Sequence, residues 1–197
     1  MNLTAFYSER ATWRNAGEEQ MRYRRALKVL AKTAGIGKTV LDIGCRDCGL
    51  RDLLPASVEY QGIDIAPEFL AAGVIIRDVS IGLPFATGYF DTVFAIDVLE
   101  HTTNPARVLR EIRRVLTPGG RAIVSIPNPY HVKEIVWNLL RMPDRQGHIF
   151  SWTRQAFTAL ADMTGLEVVA TGGTYWLHTI PASGLLARSI IYALRVK

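Results

Sequence analysis

Six short runs rich in apolar and β-branched residues, separated by stretches with helical spacing, constrain this chain more than any other feature. They are 39–44 (TVLDIG), 58–63 (VEYQGI), 73–77 (GVIIR), 91–97 (DTVFAID), 121–126 (RAIVSI) and 166–171 (LEVVAT). Most are continuously apolar rather than alternating, the pattern of strands covered on both faces, and such strands belong to a parallel sheet with helices on each side. The expected fold is therefore α/β, doubly wound and mostly parallel.

The intervening segments carry their own boundaries. In NPARVLREIRRVLTPGG, Asn104 is a good N-cap and Pro105 suits the first helical position. Val108, Leu109, Ile112, Val115 and Leu116 form one apolar stripe, and Pro118-Gly119-Gly120 ends the helix. Further helices are expected at 131–141 and 153–163, and RYRRALK at 22–28 reads as an amphipathic surface helix with Tyr23, Leu27 and Leu30 on its apolar face. At 197 residues and 49% hydrophobic content the chain has the size of one well-cored domain. The layout expected is an N-terminal helical segment over the site (1–36), the main domain (37–183) with a substrate-specific insert at about 128–153, and an apolar C-terminal helix (184–197).

A net charge of +5 and a pI near 9.4 admit an anionic partner, but the basic residues are dispersed apart from 22–28, so nucleic acid is not expected. No apolar run approaches the roughly 18 residues of a membrane span. The N-terminus lacks a basic start followed by an apolar stretch, and two cysteines make no disulfide framework, so the expected compartment is the cytoplasm. The C-terminal GLLARSIIYALRVK, read as a helix, packs on the body or on another subunit, or makes peripheral membrane contact.

The chemistry concentrates at strand ends. A strand ending in an acid, then a small-residue turn and a helix start, aims backbone N–H groups at a polar ligand, and Asp42, Gly44 and Gly49 surround such a turn. Asp64 ends the second run, where a carboxylate accepts from both ribose hydroxyls of a nucleoside cofactor. Asp78 follows the third, placed to accept from an adenine amino group between the apolar surfaces of Ile65 and Val79.

In order along the chain, VLDIGCRDCG, GIDIAP, LPFATGYFDTVFAIDVLEH and LREIRRVLTPGGRAIVSIPN resemble the class I S-adenosylmethionine-dependent methyltransferases, most closely their small-molecule "type 11" branch. The resemblance runs from about residue 37 to 172, and the loop together with the region from SIPN to GHIF also resembles the MetW-like group. It implies a seven-stranded sheet with the last strand antiparallel, and S-adenosylmethionine (S-adenosylhomocysteine as product) across the carboxyl ends of the strands. By that resemblance Gly44, Cys45 and Arg46 approach the methionine part of the cofactor, Asp64 holds the ribose, Asp78 and Val79 border the adenine, Asp97 and Val98 face the methyl donor, and Glu100 and His101 line the floor.

The chain departs from the pattern at Arg46 and Cys48, which stand where the family loop has glycines. If Arg46 needs a left-handed backbone, the substitution costs on the order of a kcal/mol. The resulting C-x-x-C has no second pair or nearby histidine pair to complete a zinc site, and nothing around it resembles a thioredoxin-like motif, so neither metal nor redox chemistry is expected. For an acceptor that must lose a proton, His101 is the leading candidate base, equally read as a hydrogen-bonded floor residue, with His131 and His148 behind it. Tyr130, Trp137, Phe150 and Trp152 in the insert suggest an apolar or amphiphilic acceptor pocket. The expectation is a small-molecule methyltransferase with an O, N or C acceptor. The alternatives are a weakly active or inactive cofactor-binding partner protein of MetW-like type and a nucleic-acid methyltransferase. A nicotinamide enzyme is disfavoured by the incomplete G-x-G-x-x-G.

Overall fold

The computed structural model describes residues 3–9, 16–144, 146–174 and 184–197. Seven strands form one sheet: β1 (Thr39–Ile43), β2 (Glu59–Asp64), β3 (Ile75–Ile76), β4 (Phe90–Ile96), β5 (Leu116–Pro127), β6 (Leu166–Gly173) and β7 (Ser189–Val196). Their order is β3-β2-β1-β4-β5-β7-β6, parallel except for β7, which runs antiparallel to β5 and β6. The helices are α1 (Leu3–Ser8), α2 (Ala16–Leu30), α3 (Pro105–Val115), α4 (Val132–Leu139) and α5 (Arg154–Met163).

Successive residues of the central strands feed opposite cores, which is why their sequences are apolar throughout. Leu41, Val93, Ala95 and Val124 pack with Val108, Leu109 and Ile112 of α3 and with Phe157 of α5. Their neighbours Val40, Phe94 and Ile123 pack with Tyr23, Ala26, Val29 and Leu30 of α2 on the other face. The sheet turns back on itself between β1 and β4, both parallel to each other, with β2 on one side and β5 on the other. At such a switch point the loops beyond the carboxyl ends diverge and leave a crevice.

The expected C-terminal helix is corrected by the structure. Gly184–Leu186 makes a single tight turn, and Ser189–Val196 is a strand inserted between β5 and β6, with Ile191 opposite Ser125 and Leu194 opposite Val168. A short apolar run without a polar face looks the same whether it is a buried strand or a buried helix; adjacent Ile190, Ile191 and Tyr192 and two flanking ladders decide for the strand. Because Ile190 to Leu194 are buried inside the molecule, the membrane contact expected of this segment is withdrawn as well. Among the described residues no helix is long and apolar enough to cross a membrane.

Candidate active site

The loop after β1 is built around one indispensable glycine. Gly44 has φ +72, and a Cβ there would fall 2.5 Å from Val98 Cγ2. Gly44 N and Cys45 N both donate to Ile63 O of β2, at 2.8 and 3.3 Å. Arg46 (φ 50) and Cys48 (φ 65) do occupy the left-handed region, so the two lost glycines were conformational ones. Gly49, which the motif retains, has no left-handed φ, and a Cβ there would meet nothing nearer than 3.9 Å among the described residues. Side-chain and backbone ties offset the strain: Arg46 N donates to Asp64 Oδ2 (2.9 Å), its guanidinium pairs with Glu19 of α2 (3.2 Å), and Cys48 N donates to Cys45 O (2.8 Å).

The C-x-x-C pair serves as packing. Both thiols are free and buried, against Val74, Tyr60 and Phe69. They fill the space above Gly62 of β2, where a Cβ would come 2.6 Å from Cys45 Sγ and 3.3 Å from Cys48 Sγ. A hydrogen bond between the two sulfurs lowers the Cys48 thiol and raises that of Cys45.

Beyond the loop lies a recess at the ends of β1, β2 and β3. Asp64 is buried, with Oδ2 accepting from Arg46 N and Oδ1 from Ala66 N, both at 2.9 Å. Burial raises its carboxyl while these backbone donors pull it down. Next to it a slot of about 70 Å³ is walled by Ile43, Ile65, Val79 and Val98, with Asp78 at its edge. Asp78 Oδ1 accepts from Ser80 N (2.8 Å). A second cavity of about 180 Å³, sharing Gly44, Asp64 and Ile65, is bordered by Phe69 and by Tyr7 of α1. Asp42 is placed elsewhere: it is fully buried behind the loop, lines none of these cavities, and accepts from Tyr23 (3.2 Å) and Tyr60 (2.9 Å) hydroxyls. Its expected contact with cofactor is corrected to a supporting role. Burial pushes its carboxyl up to about 8 against the pull of the two tyrosines.

Past Gly44 the crevice continues into a polar chamber of about 180 Å³, bordered by Arg22, Asp97, Glu100, His101, His148 and Arg188. The chamber shares Gly44, Arg46, Asp97 and His101 with the cavity bordered by Phe69 and Tyr7. Asp97 has a left-handed backbone (φ 53), a strained position of the kind that concentrates at functional sites. Its carboxylate accepts from Ser125 Oγ (2.6 Å) and pairs with Arg22 (3.2 Å). Glu100 is fully buried, and neither of its carboxyl oxygens has a hydrogen-bond partner among the described residues, so burial holds the group well above the usual carboxylate range. His101 donates from Nδ1 to Gly147 O (3.2 Å), and burial, reinforced by neighbouring His148, lowers its pKa to about 4. A neutral imidazole that resists protonation is a poor base, and this favours the floor-residue reading. His148 lies beside it, ring centroids 4.9 Å apart. His131, at the start of α4, borders none of these cavities.

An annex of about 210 Å³ adjoins the chamber, sharing Pro127, Glu134 and His148 and adding Trp137, Met142, Ile149 and Phe150. Trp152 instead stacks on Phe150 (5.4 Å) and continues toward Phe157 in the core, while Tyr130 is largely exposed.

A family model described as a methyltransferase domain matches residues 16–171. The chain belongs to that family, within the class I S-adenosylmethionine-dependent methyltransferases. The 2-methyl-6-phytyl-1,4-hydroquinone methyltransferase of Synechocystis is 26% identical over 165 residues, covering 74% of this chain and 52% of that protein. The ubiquinone biosynthesis O-methyltransferase of Pseudomonas paraeruginosa is 29% identical over 161 residues, 66% of this chain and 68% of that one. The chain thus spans about half the length of the first of these relatives. Among solved structures, an S-adenosylmethionine-dependent methyltransferase from Thermotoga maritima superposes with a TM-score of 0.70 at 17% identity, covering 91% of this chain and 92% of that one. CcbJ methyltransferase from Streptomyces caelestis gives 0.67 at 16%, covering 94% and 100%. These two likenesses concern the fold.

Arg22 and Arg188 also line the chamber, and sequence reasoning did not reach them. Arg22 sat in a run read as a solvated helix, yet it borders the stripe Tyr23, Ala26 and Leu30 that faces the sheet. Only its place one residue before Tyr23 signalled that it would point toward the strand ends. Arg188 was hidden by the helical reading of its segment.

Proposed function

We propose that this chain is an S-adenosylmethionine-dependent methyltransferase whose acceptor is a small amphiphilic molecule. The observation that carries this reading is the set of spaces that meet at Gly44: a recess beside Asp64, and a polar chamber extended by an annex that adds Trp137, Met142, Ile149 and Phe150. The residues present fit the cofactor. Asp64 would hold the ribose hydroxyls, Ile65, Val79, Val98 and Asp78 would hold the adenine, and Arg22, Arg46 and the loop at Gly44 would hold the amino-acid end.

When bound, the cofactor supplies a sulfonium methyl group open to in-line displacement. The protein's part is to hold the acceptor atom on that line and to keep water out. The segment that lies over this region is α1, whose Tyr7 lines the recess and meets His101 edge-on (ring centroids 5.3 Å), while Phe6 packs so tightly on Gly147 that a Cβ there would overlap its ring. Two related proteins carry names that support the acceptor class. One of them specifies a hydroquinone bearing a phytyl group, and the aromatic and aliphatic side chains of the annex, Trp137, Ile149 and Phe150, offer contacts to such a molecule.

Calorimetry with S-adenosylmethionine and S-adenosylhomocysteine, followed by transfer of a labelled methyl group to a panel of alkylated phenols and hydroquinones, tests the proposal. Binding of both cofactor forms and labelling of an alkylated ring compound are expected. Absence of cofactor binding would sink it, and binding without transfer to any small molecule would leave a cofactor-binding partner protein in its place.

A further inference from the structure

The chamber floor holds a side-chain cluster that methyl transfer as such does not require. Glu100, His101 and His148 each bring a ligand-type atom to within 4.8 Å of the others. Glu100 is 0% exposed and both its oxygens are without a hydrogen-bond partner among the described residues. A buried carboxyl group either stays protonated or is compensated by donors or a cation, and among the described residues no side chain donates to Glu100. His101 Nε2 stands 4.0 Å from Glu100 Oε1, too far for a hydrogen bond.

Both imidazoles are already oriented by their other nitrogen. His101 Nδ1–H donates to Gly147 O (3.2 Å), which leaves the Nε2 lone pair on the Glu100 side. His148 Nδ1 lies 3.4 Å from Asp144 Oδ1, and His148 N donates to Asp144 Oδ2 (2.7 Å), which fixes the residue and leaves its Nε2 for a ligand. A histidine held at its far nitrogen by a carbonyl or carboxylate is the outer-shell arrangement of metal-binding histidines. The backbone joins the same elements, since Ile149 N and Phe150 N both donate to Glu100 O, at 2.7 and 3.2 Å.

We infer that Glu100, His101 and His148 form a site for one first-row divalent cation of the zinc, cobalt or manganese kind, in the wall of the acceptor chamber. Two imidazole nitrogens and one carboxylate suit these ions, whereas magnesium and calcium prefer oxygen donors throughout. At metal–ligand distances of about 2.1 Å the three atoms must converge by about 1 Å, within the reach of small side-chain rotations. Neither the C-x-x-C nor the histidine spacing announces this site, because folding alone brings His148 to the residues after β4.

Such an ion would bind and acidify an acceptor hydroxyl, giving an oxygen nucleophile without a strongly basic side chain. That consequence rests on the acceptor proposed above; the cation site does not.

The test uses the full, untagged chain, freed of metal by chelation and titrated with Co²⁺ while the visible absorption is followed, then challenged with Zn²⁺. One Co²⁺ per chain, displaced by Zn²⁺, is expected. His148→Ala and Glu100→Gln should each weaken binding at least tenfold, on the scale of lost metal-site contacts, while His131→Asn leaves it unchanged. Circular dichroism and S-adenosylhomocysteine calorimetry report whether each variant is folded; half-buried His148 carries the test if Glu100→Gln does not fold. No stoichiometric Co²⁺ binding, or binding indifferent to both substitutions, overturns the inference. Cofactor binding without a cobalt site sinks this inference and spares the proposed function, and a cobalt site without cofactor binding does the reverse.

Discussion

The two halves of the crevice each bury a carboxyl group, and they treat it differently. Beneath the cofactor loop, Asp42 accepts from two tyrosine hydroxyls and borders no cavity. In the floor of the polar chamber, Glu100 has no donor among the described residues and lies with two histidines. Asp42 Oδ1, like both oxygens of Glu100, has no partner among the described residues, so the difference lies in the second oxygen and in access. Asp42 Oδ2 accepts twice and the group borders no cavity, whereas Glu100 has no donor at either oxygen and stands at the edge of a chamber. Asp42 is therefore support beneath the loop, and Glu100 is the buried acid that something entering the chamber can reach.

The largest effect that would sharpen this contrast is the pH dependence of stability. Asp42 has a pKa of about 8 in the fold, against an ordinary value of 3.8. The folded state thus holds a proton that the unfolded chain releases. Stability from this group is complete below about pH 4 and declines as pH rises toward 8, with a slope of at most about 1.4 kcal/mol per pH unit. Asp42→Asn keeps an oxygen for the tyrosine hydroxyls and removes the titration. Between about pH 5 and 8, denaturant melts of the parent should lose on the order of 3 kcal/mol more than those of the variant, whose remaining loss comes from the other buried acids, Glu100 foremost. Parent and variant that lose stability equally would show that Asp42 is ionised and that its role as neutral scaffolding is wrong.

Next in size is Gly44→Ala, which adds a left-handed backbone penalty to an overlap with Val98 Cγ2. Affinity for S-adenosylhomocysteine should fall roughly 100-fold or more, the equivalent of about 2.7 kcal/mol. Val98→Ala in the same chain should restore part of it by vacating the space. If the single variant binds as the parent does, the loop is not the hub at which these spaces meet.

Smaller still are the two recess carboxylates. Charge-assisted hydrogen bonds lost at Asp64→Ala should weaken the same titration by roughly 10- to 100-fold. Asp78→Asn removes only the charge at the slot's edge and should weaken it by about threefold. The reverse ranking would move the ribose contact from Asp64 to Asp78.

How much of this was legible in the sequence follows from how each half is built. The loop half is local: a strand, a turn and the next strand end supply Gly44, Asp64 and Asp78 within one stretch, and continuous apolar runs announced the strands that carry them. What sequence reasoning could not see there was that Asp42 points away from the cavity, since a period-two alternation is masked when both faces of a strand are buried. The floor half is assembled from distant segments. His148 reaches His101 through the crossover after α4, Arg22 arrives from α2, and Arg188 enters just before a strand that reads as a helix. His131 and His148 carried the same local signal, and only the path of the chain after β5 separates them.

The smallest effect probes the loop's two departures from glycine. Arg46 sits at φ 50, where an L-residue other than glycine costs about 1–2 kcal/mol. Arg46→Gly removes that cost, gives up a partly exposed ion pair with Glu19 worth at most about 1 kcal/mol, and raises unfolded-chain entropy by a similar amount. The net change should be a gain of about 0.5 kcal/mol at most. Arg46→Ala keeps the strained backbone and loses the ion pair, so it should lose about 0.5–1 kcal/mol. Arg46 N still donates to Asp64 in both variants, and S-adenosylhomocysteine affinity should stay within about threefold of the parent. If glycine and alanine prove equally destabilising, the arginine is held by its guanidinium rather than tolerated for its backbone, and the loop half would then share the side-chain dependence assigned here to the floor.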